Sequence, residues 1–290
     1  MNNSYEFVSH IEELGNSDNL YMVSFDVENL FTNVPLEETI SICIESLFHD
    51  CTQILGLTKE FFRTLLELAV LNSFFIFDSK LYEQVDGLGM GLPLAPTLAN
   101  VFMCYHEVKC LEQCPLEFRP TFYRRYVDDT FLIFQTEFQA NAFFNFLNMQ
   151  HPNIKFTLDK ENDKKLPFLD VNISRENNRF VTSVYRKPTF TCLGLSFFSF
   201  CCRKFKYNAL ITLLHRCYYI SSTWEKMHHE ILKLKNIFIE NGFPISIVNK
   251  QINSFLSDKL DFKDSPLMSV PKDKFYFSLP YFGTQSDRLK

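Results

Sequence analysis

Across residues 1–50 the chain has neither lysine nor arginine, while aspartate and glutamate recur throughout. A surface that binds a polyanion cannot be built from such a stretch, so a nucleic-acid face, if there is one, belongs to the later half. Long apolar runs are also missing: the most apolar pieces, 65–77 and 189–202, are short, and Glu67 interrupts the first. That excludes a membrane span. The start, Met1-Asn2-Asn3-Ser4-Tyr5-Glu6, lacks the basic and apolar regions of a signal peptide, which places the protein inside the cell, nuclear or cytoplasmic and not secreted. The nine cysteines are odd in number, include the adjacent Cys201-Cys202, and contain no Cys-x-x-Cys, which argues against a disulfide framework and a ribbon-type zinc site. His106, Cys110 and Cys114 recur at four-residue spacing on an expected helix; cysteine is among the most buried residue types, so this stripe reads as core.

What is present is a chain of 290 residues with 33 phenylalanines, long enough for a substantial core and more than one domain. A helical lead-in ends near Gly15, and a buried strand over 21–25 delivers Asp26 at its C-terminal edge. After a turn with Asn33 and Pro35, a helix presents Ile40, Cys43, Ile44, Leu47 and Phe48; a second, after Thr58, is expected to bury Phe61, Phe62, Leu65, Leu68 and Ala69. A hairpin over 74–77 and 81–85 runs into a loop with Gly87, Gly89 and Gly91, then Pro93 and Pro96, which open a helix over 97–111. Further on, a helix is expected over 139–149, a strand over 154–158, and a hairpin pairing 167–173 with 180–185. From about residue 189 basic helical segments take over, at 207–219, 223–241 and 244–256, and the last thirty residues read as an extended tail with Pro266, Pro271 and Pro280. Between 201 and 235, Arg203, Lys204, Lys206, Arg216, Lys226, Lys233 and Lys235 face only Glu225 and Glu230.

The densest chemistry is in Tyr123-Arg124-Arg125-Tyr126-Val127-Asp128-Asp129-Thr130-Phe131-Leu132-Ile133-Phe134, a β-hairpin with the acidic turn Asp-Asp-Thr. Alone, an acidic turn is explained well enough by solvation. Joined by Asp26, however, three carboxylates can converge on one sheet edge, and three such groups can hold two divalent metals about 3.5–4 Å apart for nucleotidyl transfer. Phe31, on the turn leaving the first strand, would lie beside the sugar of an incoming nucleotide, where a bulky ring excludes a 2′-hydroxyl and favours deoxynucleotides.

Four ordered motifs carry a resemblance. Ser24-Phe25-Asp26-Val27 with Leu30-Phe31-Thr32-Asn33-Val34-Pro35, then Gly89-Met90-Gly91 with Pro93-Leu94 and Leu98-Ala99-Asn100, then Arg125-Tyr126-Val127-Asp128-Asp129, resemble consecutive motifs of reverse transcriptases. Within that superfamily the chain is most similar to Penelope-like retroelements, through His151-Pro152-Asn153-Ile154-Lys155-Phe156 and Leu166-Pro167-Phe168-Leu169-Asp170-Val171 into Tyr185-Arg186-Lys187-Pro188-Thr189. The resemblance implies an α+β fold, a right-hand polymerase palm with truncated fingers over 1–190, a helical, helix-turn-helix-like thumb over 191–260, and a connector or tail over 261–290. It implies Asp26, Asp128 and Asp129 as ligands of two Mg²⁺, with Mn²⁺ as the alternative, and Phe31 as the sugar gate. Gly89 and Gly91 would approach the templating pair, Tyr126 the primer end, and Phe168 and Leu169 would form the primer grip. Arg203, Lys204, Lys206 and Arg216 would track phosphates. Lys155, Lys160 and Lys164 share the segment of the general acid, with no choice among them.

The implied partners are an RNA template, a DNA primer and dNTPs, and the implied activity is RNA-directed DNA synthesis. Departures from the family pattern leave a second reading open. Only twenty-five residues precede Asp26, none of them lysine or arginine, so most of the fingers that grip a triphosphate would be missing; Leu92 stands where a serine is usual and Cys201-Cys202 where His-Pro is frequent. The alternative is a truncated or repurposed relic that binds nucleic acid through its basic helices and catalyses nothing. An RNA-directed RNA polymerase fits Phe31 badly.

Overall fold

The computed structural model describes residues 1, 3–71 and 73–260; the tail expected over 261–290 lies outside the described residues. In order the elements are α1 (Ser4–Glu13), β1 (Tyr21–Val27), α2 (Leu30–Asn33), α3 (Leu36–Leu47), β2 (Gln53–Ile54), β3 (Leu57–Thr58), α4 (Lys59–Val70), β4 (Phe74–Phe77), β5 (Lys80–Glu83) and α5 (Ala95–Gln113). They continue with β6 (Phe122–Tyr126), β7 (Asp129–Phe134), α6 (Glu137–Gln150), β8 (Phe156–Lys160), β9 (Lys165–Phe168), β10 (Val171–Glu176), β11 (Arg179–Val184), α7 (Arg203–Ile220), α8 (Trp224–Glu240) and α9 (Ile245–Leu260). The described residues form two compact units: residues 1, 3 and 16–168, and residues 4–15 with 169–260. Among the described residues no helix is long and apolar enough to cross a membrane.

The first unit is built on an antiparallel sheet in the order β6-β7-β1-β8. Strand alternation explains it: Val23, Phe25 and Val27 of β1 point to one face with Leu132 and Phe134 of β7, and there they join Ile40 and Ile44 of α3, Phe102 of α5 and Phe143 of α6 in a common core. Phe25 lies 6.2 Å from Phe143 and 5.6 Å from Phe144, ring to ring. Each fully buried Phe of this kind contributes about 1.5–3 kcal/mol over an exposed one. The other face is also covered, since Phe131 packs on Phe122 and on Phe168 of β9, with ring centroids 6.2 and 5.5 Å apart. Helix starts follow local chemistry: Thr136 accepts from the Gln139 amide at the head of α6, and Thr58 from the Phe61 amide at α4. His106 and Cys110 lie in the core on α5, with the thiol 3.5 Å from the imidazole Nε2.

Three expectations need correction. On α4 the inward stripe is Phe62, Leu66 and Val70, four residues apart, whereas Phe61, Leu65 and Leu68 point outward at 54, 42 and 62% exposure. The helix is rotated by one position, which sets the Phe62 ring against Phe48 at the end of α3, with centroids 5.7 Å apart, while Arg63 reaches Glu37 of α3 from the exposed side. On α3, Leu47, expected on the apolar face, is likewise exposed, whereas the β4–β5 hairpin forms as expected, with Phe74, Phe75, Ile76 and Phe77 exposed. Third, the hairpin expected from 167 to 185 is interrupted at Leu169, whose φ of 54° no extended strand allows, so β9 ends at Phe168 and β10 begins at Val171.

The second unit packs α7, α8 and α9 around Leu210, Leu214, Cys217, Ile231, Leu234, Phe238, Val248 and Phe255. Its helices are punctuated as the sequence suggests: Thr223 caps α8 by accepting from the Lys226 amide, and Gly242, at φ +85°, follows α8 where a Cβ would meet the Phe198 ring at 2.7 Å. The β10–β11 hairpin and α1 complete the unit, with Tyr5 of α1 against Tyr219 of α7 at 5.4 Å.

Candidate active site

Strand register builds the site. Asp26 is paired across β1–β7 with Asp129, Asp129 across β6–β7 with Tyr126, and Asp26 across β1–β8 with Thr157. Directly opposed residues share a face, so Tyr126, Asp129, Asp26 and Thr157 form one row across all four strands. Asp128 adjoins the row from the turn. That turn is Val127-Asp128, shorter than the Asp-Asp-Thr turn expected, and Asp129 already belongs to β7. The Asp128 carbonyl accepts from the Val27 amide at 3.3 Å, which fixes the turn against the end of β1.

The row is crowded with negative charge. Partial desolvation, and then the charges of Asp128, Asp159 and Glu28, push the Asp26 carboxyl above its ordinary range. Asp159 and Glu28 were not singled out in the sequence. Asp159 pairs with Ser24, two positions from Asp26, and so shares its face; carrying the alternation of β8 one residue past Leu158 would have found it. Among the described residues no three Asp, Glu, His or Cys side chains are gathered closely enough to enclose a metal, so these acids share an edge without converging. As a donor set they still fit a hard divalent cation: all are carboxylates, and the like-charge repulsion on Asp26 is what a bound cation would relieve.

Phe31 sits on the single turn of α2, which follows Asn29 in the left-handed region at φ 48°. It is half-buried, and its carbonyl accepts from the Leu88 amide at 2.6 Å, so the glycine-rich loop is stitched to the turn that carries it. The glycine that permits this is Gly87: at φ +76°, a Cβ there would stand 2.4 Å from the Thr32 carbonyl oxygen. Gly89 faces the Ser73 hydroxyl, where a Cβ would come within 2.4 Å, and Gly91, at φ +105°, opens on empty space.

The remaining expected residues are scattered. Phe168 is buried against Phe131 in the core of the first unit. In the second unit Leu169 and Arg216 line a cavity of about 530 Å³, and Arg216 pairs with Asp170 at 2.6 Å. Arg203 and Lys204 are exposed in the first turn of α7, which starts four residues earlier than expected. Lys206 is placed otherwise than a phosphate contact requires: it is 8% exposed and donates to the carbonyls of Phe197 (2.6 Å) and Ser199 (2.8 Å). Lys155 donates to the carbonyls of Asn148 and His151 at the end of α6, and Lys160 pairs with Glu137 at 2.7 Å.

Comparison with known proteins gives the family and the fold. Residues 2–194 match the family of reverse transcriptases (RNA-dependent DNA polymerases), and residues 193–253 match the animal helix-turn-helix domain. No curated protein matches the sequence. Among solved structures, telomerase from Candida albicans in complex with the TWJ fragment of telomeric RNA aligns with a TM-score of 0.62 at 12% identity, over 88% of this chain and 46% of that one. Apo telomerase from Candida tropicalis aligns with a TM-score of 0.52, also at 12% identity, over 90% and 46%. The chain thus spans about half the length of these structures. At that identity they show the fold alone, an α+β polymerase palm followed by a helical thumb, as the sequence led one to expect.

Proposed function

The chain belongs to the reverse transcriptase (RNA-dependent DNA polymerase) family, and from that premise we propose that it is the palm and thumb of an RNA-directed DNA polymerase of the Penelope-like retroelement type. The observation that carries this reading is the register that sets Asp26 opposite Asp129, with Asp128 in the adjoining turn. Asp26, Asp128 and Asp129 would hold two Mg²⁺ or Mn²⁺ ions. When bound, these supply an acidified primer 3′-hydroxyl and a neutralised pyrophosphate leaving group. The side chains have their own tasks. The three carboxylates fix position and charge on a rigid sheet edge, Tyr126 flanks them on β6 where a primer end would lie, and Phe31 closes the sugar side against a 2′-hydroxyl. Exposed Arg203 and Lys204 are suited to phosphates of a template–primer, which would give affinity without sequence preference.

The test is extension of a DNA primer on an RNA template with dNTPs and Mg²⁺. The chain should incorporate nucleotides and Asp128→Ala should lose at least two orders of magnitude; incorporation no higher than that variant's would sink the assignment. One observation favours the inactive alternative. Lys155 and Lys160, two of the three lysines considered for the general acid, are engaged by backbone carbonyls and by Glu137. A chain that binds oligonucleotides with the salt dependence of phosphate contacts, yet extends nothing, would be that relic.

A further inference from the structure

Asn100 and Arg125 fall within the motifs that carry the resemblance, yet the chemistry proposed above uses neither. The structure joins them. Register pairs Arg125 with Thr130, and Thr130 with Phe25, which puts Arg125 on the sheet face opposite Asp26 and Asp129, toward α5. Its side chain is only 7% exposed and its donors are spread over one fork: Nε is 2.6 Å from Glu107 Oε1, both terminal nitrogens are 3.2 Å from Asn100 Oδ1, and Nη1 is 2.8 Å from the Val127 carbonyl oxygen. Glu107 also accepts from the Tyr123 hydroxyl at 2.6 Å. Asn100 and Glu107 lie seven residues apart on α5, two turns along one face, so the anchor is a rigid helix.

The fourth contact explains why so much is spent here. Val127 has φ 57°, and a β-branched residue in the left-handed region is disfavoured in population by roughly five- to thirty-fold. Something has to hold it there. We propose that Arg125 is a positioning residue for Asp128: anchored on α5 through Glu107 and Asn100, its guanidinium grips the Val127 carbonyl from behind the sheet. It thereby keeps the strained turn in the conformation that presents Asp128 beside Asp26 and Asp129. The planar fork is essential, because a lysine ammonium is a point donor and cannot span Glu107, Asn100 and Val127 together. The purpose of the device rests on the polymerase reading; the holding of the turn does not.

The experiment pairs two measurements on the full chain carrying Arg125→Lys, alone and with Val127→Gly. The first is amide hydrogen exchange at Val27, whose amide donates to Asp128, against Phe134 in the same sheet and Leu98 in α5 as internal controls. Arg125→Lys should speed exchange at Val27 about tenfold and leave both controls unchanged, and Val127→Gly, which removes the left-handed cost, should restore most of the protection. The second is primer extension titrated with Mg²⁺. Arg125→Lys should lower kcat about tenfold and raise the half-saturating Mg²⁺ concentration, with the KM for dNTP little changed, and the added Val127→Gly should recover both. Should Arg125→Lys fail to fold, Asn100→Ala takes its place, with smaller changes in the same direction. Unchanged Val27 exchange, equal acceleration at all three amides, or no recovery on Val127→Gly each overturns the positioning role. A local change at Val27 in a chain that incorporates nothing above Asp128→Ala instead overturns the polymerase reading and leaves the turn-holding role standing.

Discussion

Replacing Gly87 by alanine separates a glycine needed for space from one needed only for its backbone angle. At φ +76° an alanine costs about 1–2 kcal/mol in left-handed strain. Its methyl would also stand 2.4 Å from the Thr32 carbonyl oxygen and 2.7 Å from the Thr32 carbonyl carbon and Cα, all of them backbone atoms of α2 that cannot rotate away. Forcing two backbones apart adds about 1–3 kcal/mol, for a total of about 2–5 kcal/mol. In a unit of this size each kcal/mol moves the melting temperature by about 2–4 °C, so Gly87→Ala should melt about 10 °C lower. Gly91→Ala is the control: φ is +105°, but nothing lies within 4 Å, so only the strain is charged and the loss should be about 1–2 kcal/mol. Differential scanning calorimetry ranks the two. Because Leu88 donates to the Phe31 carbonyl, on the polymerase reading proposed above Gly87→Ala should also loosen the seat of Phe31 and raise the ratio of ribonucleotide to deoxynucleotide incorporation. A Gly87→Ala chain that melts as high as Gly91→Ala would refute the packing of the loop on α2.

Three further outcomes follow from buried charge. Burial, and then the neighbouring His151, lower the His106 pKa from 6.5 to about 4; the unfolded chain therefore takes up a proton that the folded one refuses, and stability fully present above pH 6.5 is lost toward pH 4, by up to about 3 kcal/mol. Urea titrations across that range should show a shallower slope for His106→Leu. Lys206→Met should cost about 2–4 kcal/mol in chemical denaturation by orphaning two carbonyls, while Lys204→Met should stay within about 0.5 kcal/mol yet reduce the salt dependence of oligonucleotide binding by about one ion. Arg186→Met should cost about 3–5 kcal/mol because it strands the Glu230 carboxylate, 5% exposed, and Arg186→Met with Glu230→Met should recover most of that in the same chemical denaturation.

How much of this could be read from the sequence depended on whether the signal was local. The positions of the carboxylates were legible because β-strands and tight turns announce themselves in a few residues: a buried run over 21–25 placed Asp26 near the end of β1, and two aromatic flanks defined the hairpin around Asp128. What pairs with what was less visible. That Val127 and not Asp129 completes the turn depends on a left-handed valine that no propensity favours, and it is held by contacts with α5 more than twenty residues upstream. Lys206 and Lys204 look alike in sequence, and only the fold of the preceding loop, which turns two carbonyls inward, tells them apart. The outward face of α4 failed for a similar reason. Phe61 and Phe62 are adjacent, and only the packing of Phe62 on Phe48 at the end of α3 tells which of them turns inward.

The opposition of Asp26 and Asp129 across neighbouring strands also limits how this chain can lengthen or shorten. Inserting one residue within β1 turns Asp26 toward the α3–α5–α6 side and brings Phe25, 1% exposed, out to the face where the acids stand. Two residues restore the faces but slide the carboxylates past each other by about 7 Å. Half-steps do not exist. Between Tyr21 and Asp26, and between Asp129 and Phe134, length is therefore constrained more tightly than side-chain identity, and natural or laboratory variants with insertions should carry them in the connections and leave these two strands uninterrupted.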